Sequence, residues 1–171
     1  MNVINRVMER LTFVMHMISG TTLICMMFVT LFDVLSRSLF EATNGSVDIT
    51  FIGGVELIKY GLLIVVLFAL PHSLGRSQVI VDLFTDTLKT RTKATLEGFY
   101  ILGFVLLGSG MSYRFYCAIE EAEMSGETTQ DLLIPLGYLY GISSFATAVL
   151  AITALLSSLN LFIHGREELP R

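Results

Sequence analysis

The residues best placed to do chemistry in this sequence are charged side chains at the edges of long apolar runs. Asp33 and Arg37 follow the first run at a spacing of four residues, which brings two side chains together on one side of a helix. Glu56 and Lys59 stand at the start of the second run. Solute pathways and proton relays place ionisable residues at mid-membrane, whereas these four lie at span ends. We interpret them as anchors of helix ends, with a structural or partner-contacting role as the alternative.

Two histidines offer a different chemistry. His16 lies near the start of the first apolar run and His72 near the end of the second, so antiparallel helices would hold them at similar depth. Such a pair can ligate a haem between helices. The simpler interpretation is that both histidines pack between helices, because nothing in the sequence indicates groups that would orient them as ligands. A haem-binding redox anchor that uses His16 and His72 remains the alternative function.

Four apolar runs must position these residues. With 53% hydrophobic and 15% charged residues and a mean hydropathy of +0.70, the chain is an integral membrane protein. A helix needs ~20 apolar residues to cross a hydrocarbon core of ~30 Å. We therefore predict an all-α membrane protein with one domain, residues 1–171. Its four transmembrane helices are expected at about residues 11–34, 55–75, 94–119 and 134–160.

The segments between the four predicted spans differ in composition and residue spacing. Residues 77–93 repeat apolar side chains at helical spacing, which predicts an amphipathic helix on the membrane surface. Residues 38–54 are too broken by glycine to cross a membrane, so we expect an interfacial connection there. The third connection is predicted to be an acidic loop, with Glu120, Glu121, Glu123, Glu127 and Asp131. Small residues suit close helix contact in the first span, at Ser19, Gly20, Thr21 and Thr22, and in the third, at Gly103, Gly108 and Gly110.

The basic residues predict the orientation. Four spans put both termini on one side. Of the eleven Lys and Arg residues, eight fall on that side, namely Arg6, Arg10, Arg76, Lys89, Arg91, Lys93, Arg166 and Arg171. Arg37, Lys59 and Arg114 lie near the other side. The positive-inside rule therefore places both termini in the cytoplasm.

Several functional classes receive no support from the sequence. The net charge of −4 comes without a dense basic block, which argues against a nucleic-acid partner. Cys25 and Cys117 are isolated in apolar surroundings and form neither a disulfide framework nor a thiol-redox motif. A self-sufficient proton-coupled exporter would need a membrane-embedded acidic residue, and residues 11–32 contain none. We predict no enzyme activity, no catalytic or substrate-binding residue, no cofactor and no metal.

Three stretches are informative at the ends of the predicted spans. Asp33-Val34-Leu35-Ser36-Arg37 closes the first span. Glu56-Leu57 opens the second span, and Arg76-Ser77-Gln78-Val79-Ile80-Val81-Asp82 follows it. Ile134-Pro135 with Tyr138 and Tyr140 introduces the last span. In these stretches, their order and the four-span layout, nearly the whole chain resembles the small membrane subunit of tripartite ATP-independent periplasmic (TRAP) transporters, the DctQ-type permeases, with Gln78 where the family usually has histidine.

The resemblance implies a non-catalytic subunit of the bacterial inner membrane. In that family the small subunit forms a heterodimer with a large membrane subunit, which binds sodium and substrate and moves the substrate by an elevator motion. A periplasmic substrate-binding protein delivers an organic acid, such as a sialic acid or a C4-dicarboxylate. The small subunit is expected to enlarge the static scaffold. The candidate structural or partner-contacting residues are then Asp33, Arg37, Glu56, Lys59, Arg76 and Asp82.

Overall fold

Four helices account for most of the chain in the computed structural model, which describes residues 2–45, 49, 53–74 and 90–164. Helix α1 covers Asn2–Ala42, α2 covers Gly54–Ser73, α3 covers Thr90–Ser125 and α4 covers Leu136–His164. Each contains a segment that is long and apolar enough to cross a membrane. The described part of the chain contains no strand, and its only extended pairing is an isolated bridge between Thr128 and Pro135. The prediction of an all-α fold with four such helices is confirmed.

Helix α1 is longer than the charges suggested. We expected the first span to end at Asp33 and Arg37, but the helix continues to Ala42, and these two residues form an i,i+4 ion pair within it. It ends in a Schellman motif. Asn44 adopts the left-handed conformation (φ 49°), and the Gly45 N–H donates to the Phe40 carbonyl over 3.0 Å.

Helix α3 also runs further than predicted. Glu120, Glu121 and Glu123 do not belong to a loop, since they lie in the last turns of this helix. The helix ends at Gly126 (φ 67°), where the Glu127 N–H donates to the Ala122 carbonyl. At its other end, residues 90–93 belong to α3, although we placed them in the surface helix. The rest of that predicted helix, residues 77–89, lies outside the described residues.

The helices pack as two antiparallel pairs joined through α2 and α4. Helix α1 lies mainly against α2, α3 lies against α4, and α2 also contacts α4. One buried cluster holds Met15, Leu67, Ala146 and Val149, and a second holds Leu74, Ile101, Leu150, Ala154 and Leu161. The end of α1, the start of α2 and the α3–α4 connection therefore meet at one end of the molecule. We call this the outer end.

Candidate functional site

The most highly connected side chain at the outer end is the Glu56 carboxylate. Its Oε1 accepts a hydrogen bond from the Gln130 N–H at 2.8 Å, and its Oε2 accepts from the N–H groups of Asp131 and Leu132, each at 2.9 Å. The residue is 8% exposed. Hydrogen bonds to an ionised carboxylate are shorter and stronger than neutral ones. Glu56 therefore fastens the first turn of α2 to the connection between α3 and α4, and we call this arrangement the Glu56 clamp.

The connection is folded so that its N–H groups reach the carboxylate. Thr129 and Ile134 close it with a backbone bond of 2.9 Å, and the Ile134 N–H also donates to Thr129 Oγ1 at 3.0 Å. Gly53 lets the loop approach α2, because a Cβ at this position would lie 2.8 Å from the Leu132 side chain. Its φ of 100° likewise favours glycine. These features explain how Glu56 contacts backbone groups that lie 74 to 76 positions further along the chain.

Asp33 and Arg37 form the expected pair on α1. Arg37 Nε donates to Asp33 Oδ2 at 3.0 Å. The Asp33 side chain is mostly covered, and its Oδ1 has no hydrogen-bond partner among the described residues, whereas the Arg37 side chain is 57% exposed. The pair holds the guanidinium at the protein surface while its terminal nitrogens remain available to a neighbouring molecule.

The other charged candidates are placed differently. Lys59 is exposed, and its Nζ lies 5.1 Å from the ring centroid of Tyr60, which is a local cation–π contact. Arg76 and Asp82 lie outside the described residues. Glu97, near the start of α3, is only 2% exposed, so its side chain does not extend to the membrane surface. The structure thus brings Glu56 to the α3–α4 connection and keeps Asp33 with Arg37.

His16 and His72 do lie at the same depth. Their ring centroids are 4.7 Å apart with planes inclined by 31°, and Phe13 meets His72 edge-on at 6.1 Å. Haem ligation by two histidines requires each ring nitrogen to point at an iron between them, with the macrocycle separating the rings. Rings that lie partly over one another at 4.7 Å leave no room for a macrocycle. The pair is a packing contact between α1 and α2, and the haem alternative gains no support from it.

Hydrogen bonds from serine hydroxyls to the backbone of a neighbouring helix were not predicted from the sequence. Ser112 and Ser144 each donate to the other's backbone carbonyl at 3.1 Å, which joins α3 to α4 twice. Ser19 donates to the Val65 carbonyl at 2.8 Å between α1 and α2, and Ser158 donates to the Gly98 carbonyl at 3.1 Å. The only signal for them in the sequence was a small polar residue in an apolar run.

The glycines of α3 do not share one packed face, contrary to our expectation. A Cβ at Gly108 would lie 3.0 to 3.2 Å from backbone atoms of Thr147 and Ala151, so α3 and α4 approach closely there. A Cβ at Gly103 or Gly110 would meet nothing within 4 Å. Positions 103 and 110 are seven residues apart and point together, but position 108 points elsewhere on the helix.

Together these contacts form a site at which helices pack against one another. Within the described ranges, no group of three or more His, Cys, Asp or Glu side chains is arranged to hold a metal ion. Glu56 and the serines between helices bond to backbone atoms of neighbouring helices and loops. Such bonds fix helices relative to one another in an apolar solvent, where unsatisfied polar groups are costly.

Comparison with known families gives one clear match. The model of the family described as "Tripartite ATP-independent periplasmic transporters, DctQ component" matches residues 26–164. No curated protein and no solved structure gives a significant match. The matched region covers well over half of the chain and includes the last part of α1, from residue 26, and all of α2, α3 and α4. This is a family of transporter components and not of catalysts. With four helices able to span a membrane, the chain therefore belongs to the DctQ component family of tripartite ATP-independent periplasmic transporters.

Proposed function

We propose that this chain is the small, non-catalytic permease subunit of a sodium-driven TRAP transporter that takes up an organic acid, such as a sialic acid or a C4-dicarboxylate. In this proposal a large membrane subunit carries substrate and sodium, and a periplasmic protein delivers the substrate. The observation that carries the proposal is the family match over residues 26–164. The substrate contacts lie in the other components.

The subunit acts as a static scaffold for the large subunit. Support comes from the way the helices are joined, since the Glu56 clamp, the Ser112–Ser144 pair and the Ser19–Val65 bond each cross between elements. Moving one helix past another would break the two serine contacts in a solvent that offers no replacement partners, and it would pull Glu56 away from the α3–α4 connection. A chain tied in this way suits the fixed part of an elevator transporter.

The proposed location is the bacterial inner membrane, with the whole chain forming one transmembrane domain and both termini in the cytoplasm. The uneven distribution of Lys and Arg supports this orientation. It places the Glu56 clamp and the acidic end of α3 on the periplasmic side. A periplasmic substrate-binding protein would meet the transporter on that side.

The charged candidates divide between two proposed roles. Glu56 stabilises the outer end of this chain, because its carboxylate is satisfied internally. Asp33 orients Arg37, whose exposed guanidinium is free to contact an acidic group of the large subunit or a lipid phosphate. Lys59, Arg76 and Asp82 are proposed as helix-end anchors or partner contacts.

Calorimetry with the isolated subunit tests the non-catalytic role. Sialic acid and C4-dicarboxylates titrated into the purified chain in detergent should give no binding heat, because the chain is proposed to contribute no substrate contact. The parallel titration uses the complex with the large subunit, in the presence of sodium. Binding at micromolar affinity to the small subunit alone would contradict the proposal.

A further inference from the structure

Helix α1 is about twice as long as a membrane is thick. Its 41 residues span about 61 Å, whereas α2, with 20 residues, spans about 30 Å and matches a hydrocarbon core. Helix α1 cannot tilt enough to hide the excess, because it packs lengthwise against α2. Part of α1 must therefore project beyond the bilayer core.

The contacts between the helices locate the projecting part. Ser19 bonds to Val65, and the Met26 side chain lies against Gly61. Following this antiparallel register for seven more residues brings Asp33 level with Gly54, the first residue of α2. Residues 34–42, which we call the α1 extension, thus continue for about 13 Å past the start of α2.

The outer boundary of the hydrocarbon lies at or below the level of Asp33. The Glu56 clamp is at this level. The α3–α4 connection that it holds, residues 126–135, is irregular backbone with exposed Glu127 and Asp131 side chains. Irregular backbone facing lipid does not occur within the hydrocarbon core. The α1 extension therefore stands in the headgroup region and beyond it, where acyl chains do not cover side chains.

Apolar residues nevertheless dominate the outward face of the α1 extension. Val34 is 54% exposed, Leu35 59% and Leu39 45%, and Leu31 and Phe32 continue the surface one turn below. These residues are spaced three and four apart, so they form one continuous patch. The upper part of this patch, Val34, Leu35 and Leu39, stands above the level of Asp33, and a contiguous apolar patch outside the membrane core marks a protein interaction site.

We infer that this patch, formed by Leu31, Phe32, Val34, Leu35 and Leu39, is a docking surface for the large membrane subunit. The patch is continuous with exposed α1 residues inside the membrane, such as Ile24 and Phe28, so a partner that lies in the bilayer and rises above it can cover the whole surface. A soluble periplasmic protein reaches only the upper part. Helix α1 is also the least covered helix, with 17% of its apolar segment buried against 39% for α4. The inference rests on the proposed function, which supplies the large subunit.

Charge substitution within the patch tests the inference. Leu35→Glu is made in the full chain, which is co-expressed with the large membrane subunit of the same transporter and purified through a tag on the small subunit. Burying an uncompensated carboxylate at a docking surface should reduce recovery of the large subunit about tenfold or more. Met124→Glu is the matched control, since Met124 is an 82% exposed apolar residue near the outer end of α3. This control should recover the large subunit as the parent does.

Folding is checked separately. Both variants, purified alone, should melt as the parent does, because both positions are exposed in the isolated chain. If Leu35→Glu recovers the large subunit at the parental level, or if Met124→Glu loses it equally, the inference is wrong. If the parent itself recovers no large subunit, the proposed function fails instead.

Photo-cross-linking identifies the occupant. A photo-reactive amino acid in place of Leu35 should give an adduct with the mass of the large subunit, and the same residue in place of Met124 should not. An adduct with a second copy of this chain or with the periplasmic binding protein, or no adduct at all, would overturn the assignment of the large subunit to this surface.

Discussion

Adding one methyl group at Gly108 should separate α3 from α4, and the structure allows the effect to be estimated. A Cβ there would lie 3.0 Å from the Ala151 nitrogen, 3.1 Å from the Thr147 oxygen and 3.2 Å from the Ala151 Cα. These separations are shorter than ordinary contacts of a Cβ with backbone atoms, so the helices must move apart by a few tenths of an ångström. The atoms in the way belong to the backbone and cannot rotate aside.

That separation also strains the next turn. Ser112 lies one turn from Gly108, and its two hydrogen bonds with Ser144 are both 3.1 Å long. A shift of this size lengthens them past the ~3.2 Å upper end of the usual range. Overpacking of this kind costs about 1–3 kcal/mol, against a gain of about 0.8–1.0 kcal/mol from replacing glycine by alanine within a helix. Gly108→Ala should therefore lower the free energy of unfolding by about 1 kcal/mol, within a range of about 0–2 kcal/mol.

Gly110→Ala is the matched control, since it lies on the same helix and its Cβ would meet nothing within 4 Å. It should leave stability unchanged or raise it. Unfolding by SDS titration, followed by circular dichroism, is a suitable assay because the chain has no tryptophan for fluorescence. Ser112→Ala should cost less in the Gly108→Ala background than in the parent, because neighbouring contacts do not add. If Gly108→Ala is as stable as Gly110→Ala, the close approach of α3 and α4 is refuted.

Two further predictions concern the outer end and the orientation. Glu56→Gln replaces one acceptor oxygen of the clamp with a donor, so amide hydrogen exchange at residues 130–132 should accelerate by about tenfold or more, because bonds to a charged acceptor are lost. The control Lys59→Gln should leave this exchange unchanged. Equal exchange in both variants would show that the clamp does not hold the loop. Reporter fusions after Glu123 and after Arg171 should report the periplasm and the cytoplasm respectively, and the same compartment for both would contradict the topology.

The sequence predicted those features of the fold that depend on local composition. Long uncharged runs in a chain with few charges predict membrane helices because an apolar solvent excludes charge, and all four helices are present. Helix ends were less predictable. Charges at Asp33 and at Glu120 looked like span boundaries, but a charge ends the apolar part of a helix without ending the helix itself.

Contacts between distant residues could not be predicted. Glu56 was singled out as a charged residue at a helix start, yet its partners at residues 130–132 follow from how α2 meets the α3–α4 connection, which no local pattern encodes. The close approach at Gly108 was equally hidden, because Gly103 and Gly110 are the same residue type and face away. The Asp33–Arg37 pair was predictable, since both partners lie on one helix at a spacing set by its geometry.

Sodium-driven uptake in proteoliposomes tests the central claim most directly. Vesicles containing the large membrane subunit, with its periplasmic binding protein and radiolabelled organic acid outside, are compared with and without this chain under an inward sodium gradient. The scaffold role predicts uptake only when both membrane subunits are present, and none from this chain alone. Uptake by the large subunit alone at the rate of the complex, or uptake by this chain alone, would contradict it.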